Sequence, residues 1–261
     1  PEGCLINGIV TNEAELTAAL QGFFAANELP TQRVALAVGG SQFNHRVLTL
    51  PRMSEKKRAA VLTREFSTGG ADVTAPLDDY MLLSTDKKTK ADTVLATRVE
   101  SAVIETYINL AAACGLKLYS IDLALAGQIK LVRATPELAG KSFVMLQFDG
   151  DSLIAGLYEK GQYKYSTRSR LFNPRGTEAS GAEIGQKLSG LIQFQTAAKS
   201  EHPIKAVYFG GSTAADLAVC TPACRGLQLE VAAYPETENI KLPEGIRLAD
   251  IALAAGNLIG R

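Results

Sequence analysis

Two short segments carry residue types that could do chemistry. The first runs Phe148, Asp149, Gly150, Asp151 and Ser152 between two apolar stretches, which makes it a hairpin turn with Asp-Gly at its tip. A turn of this kind exposes backbone N–H groups to a phosphate, and an acidic residue beside it can hold Mg²⁺ through water. The second is Tyr208 to Thr213, where an apolar run ends in Gly210 and Gly211, followed by Ser212 and a helix start. Glycine permits close approach to the backbone, and a helix N-terminus offers donors to an anion or to the sugar-phosphate side of a nucleotide. Asp149, Gly150, Asp151, Gly210, Gly211 and Ser212 are therefore the candidate nucleotide-binding residues. Each segment also has a plain structural explanation, as a turn and as a tight strand-to-helix connection.

Other chemistry has less to build on. His45 falls in an expected strand and His202 in a Glu-His-Pro loop, and there is no GxSxG nucleophile elbow, so no catalytic residue is assigned. The spacing of Cys4, Cys114, Cys220 and Cys224 matches neither a disulfide framework nor a paired CxxC zinc site. They read as reduced, buried thiols, and no metal-ligand set is assigned.

The elements that must position these segments follow from pattern. Thr11 and Asn12, with Glu15 as capping partner, open an amphipathic helix through Leu16, Ala19, Leu20, Phe23 and Phe24. Pro30 stops it, and Val34 to Val38, bounded by Gly39 and Gly40, predicts a strand buried on both faces. A polar strand-helix-strand-strand unit comes next: His45 to Leu50, a helix from Ser54 through Phe66, Tyr80 to Ser84 and Thr93 to Thr97, with Asp86 to Lys90 as a solvated hairpin tip. Helical periodicity returns from Val99 to Ala112 with Gly115 as the cap, then a strand over Leu116 to Ile121 and a helix beginning at Asp122. Phe143 to Phe148, Leu153 to Tyr158 and Tyr163 to Ser169 form an antiparallel meander. A helix around Ile184 to Phe194, strands over Ala206 to Phe209 and Leu227 to Val231, and a closing helix over Ile246 to Ile259 complete a mixed α/β order.

Composition narrows the functions available. With 46% hydrophobic residues in 261 the chain can bury a substantial core, and 27 basic against 27 acidic residues leave no basic field to hold a nucleic acid. No stretch reaches the roughly 18 apolar residues of a membrane span, so a cytoplasmic chain is expected. Its ends, at Pro1 and Arg261, read as those of a piece of a longer protein.

The order of motifs resembles the PilM family of pilus-assembly proteins, relatives of FtsA and of the cytoplasmic domains of GspL and BfpC. PEGCLINGIV from Pro1 to Val10 resembles that family's lead-in, VALAVGGSQFNHRVLTLP from Val34 to Pro51 its VAVALPGSAVITRTIELP segment, and ETYINLAAACGLKLYSIDLALAG from Glu105 to Gly127 the approach to its second lobe. The resemblance implies an α/β, actin-like (ribonuclease H-like) bilobed fold with an inserted strand-helix-strand-strand subdomain. Residues 1–133 would form the first lobe, with the insertion at about 41–97, and residues 134–261 the second, with a reduced helical subdomain. Asp149 matches the family's Asp-Ile-Gly phosphate loop while the two residues after it do not, and Gly210 and Gly211 are two of its three adenosine-side glycines, Ser212 replacing the third. ATP with Mg²⁺ is the ligand this implies for those loops. The family's first phosphate hairpin is missing from the chain, and only Asn173 to Gly181 stands where the helical subdomain would be.

The resemblance implies a scaffold at the inner face of the membrane. It would dock the cytoplasmic tail of PilN or another platform protein, in the family an extended Ile-Asn-Leu-Leu-Pro-like segment, around Val34, Leu36, Val38 and Gly39 and the inserted subdomain, and would also dock the pilus or secretion ATPase. The system would be a type IV pilus or type II secretion platform, with homo-oligomerisation open. The alternative is an actin-like ATPase or phosphotransferase.

Overall fold

The computed structural model describes residues 1, 3–67 and 75–260. The chain divides into two units, Pro1–Ala126 and Gly127–Arg261.

In the first unit a short hairpin, β1 (Leu5–Ile6) and β2 (Ile9–Val10), precedes α1 (Glu13–Ala26). The Asn12 side chain accepts from the Glu15 N–H and donates to the Glu15 carboxylate, the cap the sequence signals. β3 (Val34–Val38) pairs in parallel with β7 (Leu118–Leu123), the last strand of the unit. Leu16, Leu20 and Phe24 of α1 pack with Leu110 and Ala111 of the preceding helix, α3 (Ser101–Ala113), over Val34 and Leu118. Leu36 and Val38 join Val103, Ile104 and Tyr107 of α3 in a second cluster.

β3 is therefore packed on one face, not two. Its Val-Ala-Leu-Ala-Val pattern sends every large side chain to the helices, and Ala37 on the other face is exposed. A run that is uniformly apolar in type alternates in size, and size decides the burial. One edge of β3 is occupied by β7; the other pairs with no strand among the described residues. β7 also runs two residues further than expected: Asp122 ends in the strand, opposite Ala37, and the next helix starts at Ala124.

Between β3 and α3 lies a three-stranded antiparallel sheet in the order β4 (Asn44–Pro51), β6 (Ala91–Glu100), β5 (Pro76–Asp86). It is the strand-helix-strand-strand unit of the sequence. Its helix α2 (Glu55–Ser67) lays Leu62 and Phe66 on Leu50, Val94 and Ala96. β5 and β6 are longer than apolar pattern alone suggests, because they pair from Pro76 opposite Glu100 to Asp86 opposite Ala91, with one register shift between Leu82 and Ser84. At the tip Asp86 accepts from the Lys88 and Thr89 N–H groups, a self-capped turn.

The second unit is built on a five-stranded mixed sheet. Its meander, β8 (Phe143–Asp149), β9 (Ser152–Glu159) and β10 (Gln162–Arg170), continues through β11 (Ala206–Gly210) to β12 (Glu230–Ala233), in the order β10-β9-β8-β11-β12. β8, β11 and β12 run parallel, so the ends of β8 and β11 emerge side by side. Helices α5 (Glu178–Ala197) and α6 (Ala214–Gly226) cover one face, burying Ile184, Leu188, Leu191, Cys220 and Cys224 against Val144, Leu146, Phe148, Val207 and Phe209. On the other face Phe143 and Tyr158 stack at 5.0 Å, and the Tyr158 hydroxyl donates to Gln128 of α4 (Ala124–Arg133).

Two expected boundaries shift. Leu227 closes α6 with its N–H on the Ala223 and Cys224 carbonyls, so β12 begins only at Glu230. The closing helix is broken: a 3₁₀ turn at Leu248–Asp250, pinned by Arg247 on Asp250, precedes a short α7 (Ala252–Leu258).

Candidate functional site

The parallel ladder between β8 and β11 brings the two candidate loops together. Gln147 lies opposite Gly210, so the Asp149 turn and Gly211 leave the sheet from adjacent strand ends. Ligands of open α/β sheets bind in crevices at such carboxyl ends. Sequence reasoning therefore named two segments that are neighbours.

Their chemistry differs from expectation. Gly150 and Asp151 form a two-residue turn closed by the Asp149–Ser152 pair, with Gly150 at φ +57°. Asp149 accepts from Arg168 at 3.0 Å, and Asp151 pairs with Arg170 at 3.7 Å. Both arginines project from β10, so each carboxylate read as a magnesium contact already faces a guanidinium. Gly211, at φ +62°, is required on two grounds: the left-handed backbone, and a Cβ that would stand 2.6 Å from the Phe148 carbonyl and 2.7 Å from Gln147 Nε2. Its glycine thus serves strand packing as well as any ligand. Ser212 is buried beside it, and Thr213 caps α6 by accepting from the Asp216 N–H.

Arg175, which the sequence gave no reason to single out, reaches into the space between the loops. Its guanidinium donates to the Gly150 carbonyl at 3.4 Å, the Gly211 carbonyl at 2.9 Å and both oxygens of Asp216 at 3.4 and 2.5 Å. It lies 4.3 Å above the Phe148 ring. Burial works to raise the Asp216 carboxyl, but Arg175 and the N–H and hydroxyl of Thr213 outweigh it and hold the group below the usual carboxylate range.

The loop carrying Arg175 is itself fixed. Glu183 accepts from the Phe172 and Asn173 N–H groups and from the Asn173 amide, and the Thr177 hydroxyl donates to the Pro174 carbonyl while capping α5. The available signal was positional: an arginine in a Pro-Arg-Gly turn directly before a Thr N-cap.

The residues present do not fit a Mg-nucleotide phosphate at this crevice. The loops turn carbonyls inward, a carboxylate lies beneath, and a cation occupies the middle. Among the described residues no group of three or more His, Cys, Asp or Glu side chains comes together as a metal site.

In the first unit the candidate docking residues are placed otherwise than the sequence suggests. Val34, Leu36 and Val38 direct their side chains into the α1 and α3 core, leaving the strand's edge and its alanine face outward. Gly39 lies under the turn between β1 and β2, where a Cβ on Gly8 would stand 2.5 Å from the Gly39 carbonyl.

Solved structures with the same architecture identify it. A PilM–PilN type IV pilus biogenesis complex contains a chain that superimposes with a TM-score of 0.79 at 16% identity, over 98% of this chain and 87% of that one. The fold is actin-like, of the PilM type. Two further neighbours stand at TM-scores of 0.53 and 0.51. The first is a Bacteroides thetaiotaomicron protein of unknown function with an actin-like ATPase fold (13% identity, 94% of this chain and 81% of that one). The second is the ethanolamine utilization protein EutJ of Carboxydothermus hydrogenoformans (11% identity, 98% and 78%). No protein-family model matches the chain, and no curated protein matches it. Among the described residues of this PilM-type fold, no helix is long and apolar enough to cross a membrane.

Proposed function

We propose that this chain is a cytoplasmic scaffold of a type IV pilus assembly platform, docking the tail of a PilN-like membrane partner at the inner face of the plasma membrane. The observation that carries the reading is the extent of the fit to the PilM–PilN structure, which takes in nearly the whole chain. Docking of the assembly ATPase, service in a type II secretion platform and self-association are extensions of the same reading.

The docking element is β3. Its large side chains are committed to the core, so what it offers a partner is backbone: an edge that pairs with no strand among the described residues, beside the exposed Ala37. An extended peptide recognised by strand addition needs such an edge. The second reading, an actin-like ATPase or phosphotransferase, is favoured by the ATPase-fold neighbour but requires the Gly150 and Gly211 loops to face phosphate with amides, and they face Arg175 with carbonyls.

Fluorescence anisotropy of a labelled Ile-Asn-Leu-Leu-Pro tail peptide tests the proposal. Saturable binding that Ala37→Lys weakens at least about tenfold is expected, since that side chain is exposed and its replacement leaves the core intact. No binding of the peptide, together with tight calorimetric binding of Mg-ATP, would overturn the scaffold reading in favour of the ATPase.

A further inference from the structure

We infer that the crevice between the Asp149 turn and the Gly210–Ser212 loop is a guanidinium site, filled in cis by Arg175, and that this side chain holds the two loops together in place of a bound ligand. The walls decide the sign of what fits. The Gly150 and Gly211 carbonyls, the Asp216 carboxylate and the face of the Phe148 ring are all electron-rich, and all four touch the guanidinium. A phosphate in the place of the guanidinium would face these four electron-rich groups.

The planar fork suits the spacing. Nε and Nη2 share the two oxygens of Asp216, Nη2 also reaches Gly211, and Nη1 reaches Gly150. A lysine ammonium is a point charge and cannot span three partners in this way. The arrangement is also organised beforehand. Asp216 is 2% exposed and held at the start of α6 by Thr213, while Glu183 and Thr177 fix the backbone on either side of Arg175. The ordering cost of the bridge is therefore small. Its consequence is that the loops stand in register without a nucleotide, so the second unit presents one fixed surface whatever the nucleotide level.

Amide hydrogen exchange on the intact chain tests the inference. In the wild type, neither Mg-ADP nor inorganic phosphate at millimolar concentration should slow exchange at Gly150, Asp151, Ser212 and Thr213. Arg175→Ala should speed exchange at both loops together by at least about tenfold, the signature of a shared local opening. Millimolar ethylguanidinium should restore protection to that variant, and ethylammonium or phosphate should not. Should Arg175→Ala fail to fold, Arg175→Lys serves, with intermediate exchange at both loops expected. The inference is overturned if exchange rises at only one loop or at neither, if phosphate rather than ethylguanidinium restores protection, or if Mg-ADP protects the wild-type loops.

Discussion

Arg98 holds both carboxylate oxygens of Asp78, at 2.7 and 2.8 Å, from the position directly opposite on the neighbouring strand. The same guanidinium donates to the Thr63 carbonyl and lies 5.1 Å from the centre of the Phe66 ring, tying α2 to the sheet of the inserted unit. Both side chains are nearly out of solvent, so each depends on the other to offset its desolvation. Asp78→Ala should cost about 3 kcal/mol, because it leaves a largely buried arginine without its counter-charge. Replacing the pair together, Asp78→Leu with Arg98→Met, should cost far less. Urea titrations followed by far-UV circular dichroism would show the difference, and equal losses would mean that the pair adds little beyond packing.

Leu188 lies at the centre of the α5 contact with the sheet and has no exposed surface. Truncation to alanine should destabilise the second unit by about 2–5 kcal/mol, through lost transfer energy and a residual cavity. Exchange protection along α5 and β8 would fall, while β5 and β6 should keep theirs if the two units open independently.

Gly211→Ala should destabilise by about 1–3 kcal/mol, since it combines a strained positive φ with a Cβ 2.6 Å from a backbone oxygen. Gly150→Ala shares the positive φ but has open space around its Cβ, so it should cost less. Thermal unfolding of the two variants would rank them, and the reverse order would contradict this packing of the β8 and β11 ends.

Acid should weaken both units through named groups. Arg98, with help from Thr63, holds the Asp78 carboxyl below its usual range, and Asp216 is likewise depressed despite its burial. A carboxyl whose folded value is depressed contributes fully above the unfolded value of about 3.9, and that contribution is lost as pH falls through the lower, folded value. Stability should therefore drop steeply below about pH 4, and Asp216→Asn should flatten that slope in the second unit. An unchanged slope in the variant would show that Asp216 is not among the titrating groups.

Much of this was readable in advance wherever one physical rule acted alone. Successive apolar runs separated by tight turns gave the meander, and the Asn12 and Glu15 pair gave the start of α1, because those signals are local. The adjacency of the two glycine loops came from the order of motifs, through the family resemblance. Arg175 was out of reach. It lies 41 residues before its partner Asp216, and nothing in an Asn-Pro-Arg-Gly turn says which distant carbonyls the side chain will meet. β3 was misread for another reason: alanine counts as apolar in a pattern but fills so little volume that it does not require a second covering layer.

Cys220 and Cys224 lie one turn apart on α6 with no exposed surface. Burial pushes Cys220 up to about 12, with Cys224 and Asp216 adding to it, and Cys224 up to about 11. At neutral pH neither is a thiolate, and no reagent reaches them while the helix is seated. The pair is thus a built-in clock: the rate at which these two sulfurs react with a disulfide reagent counts how often α6 lifts from the sheet.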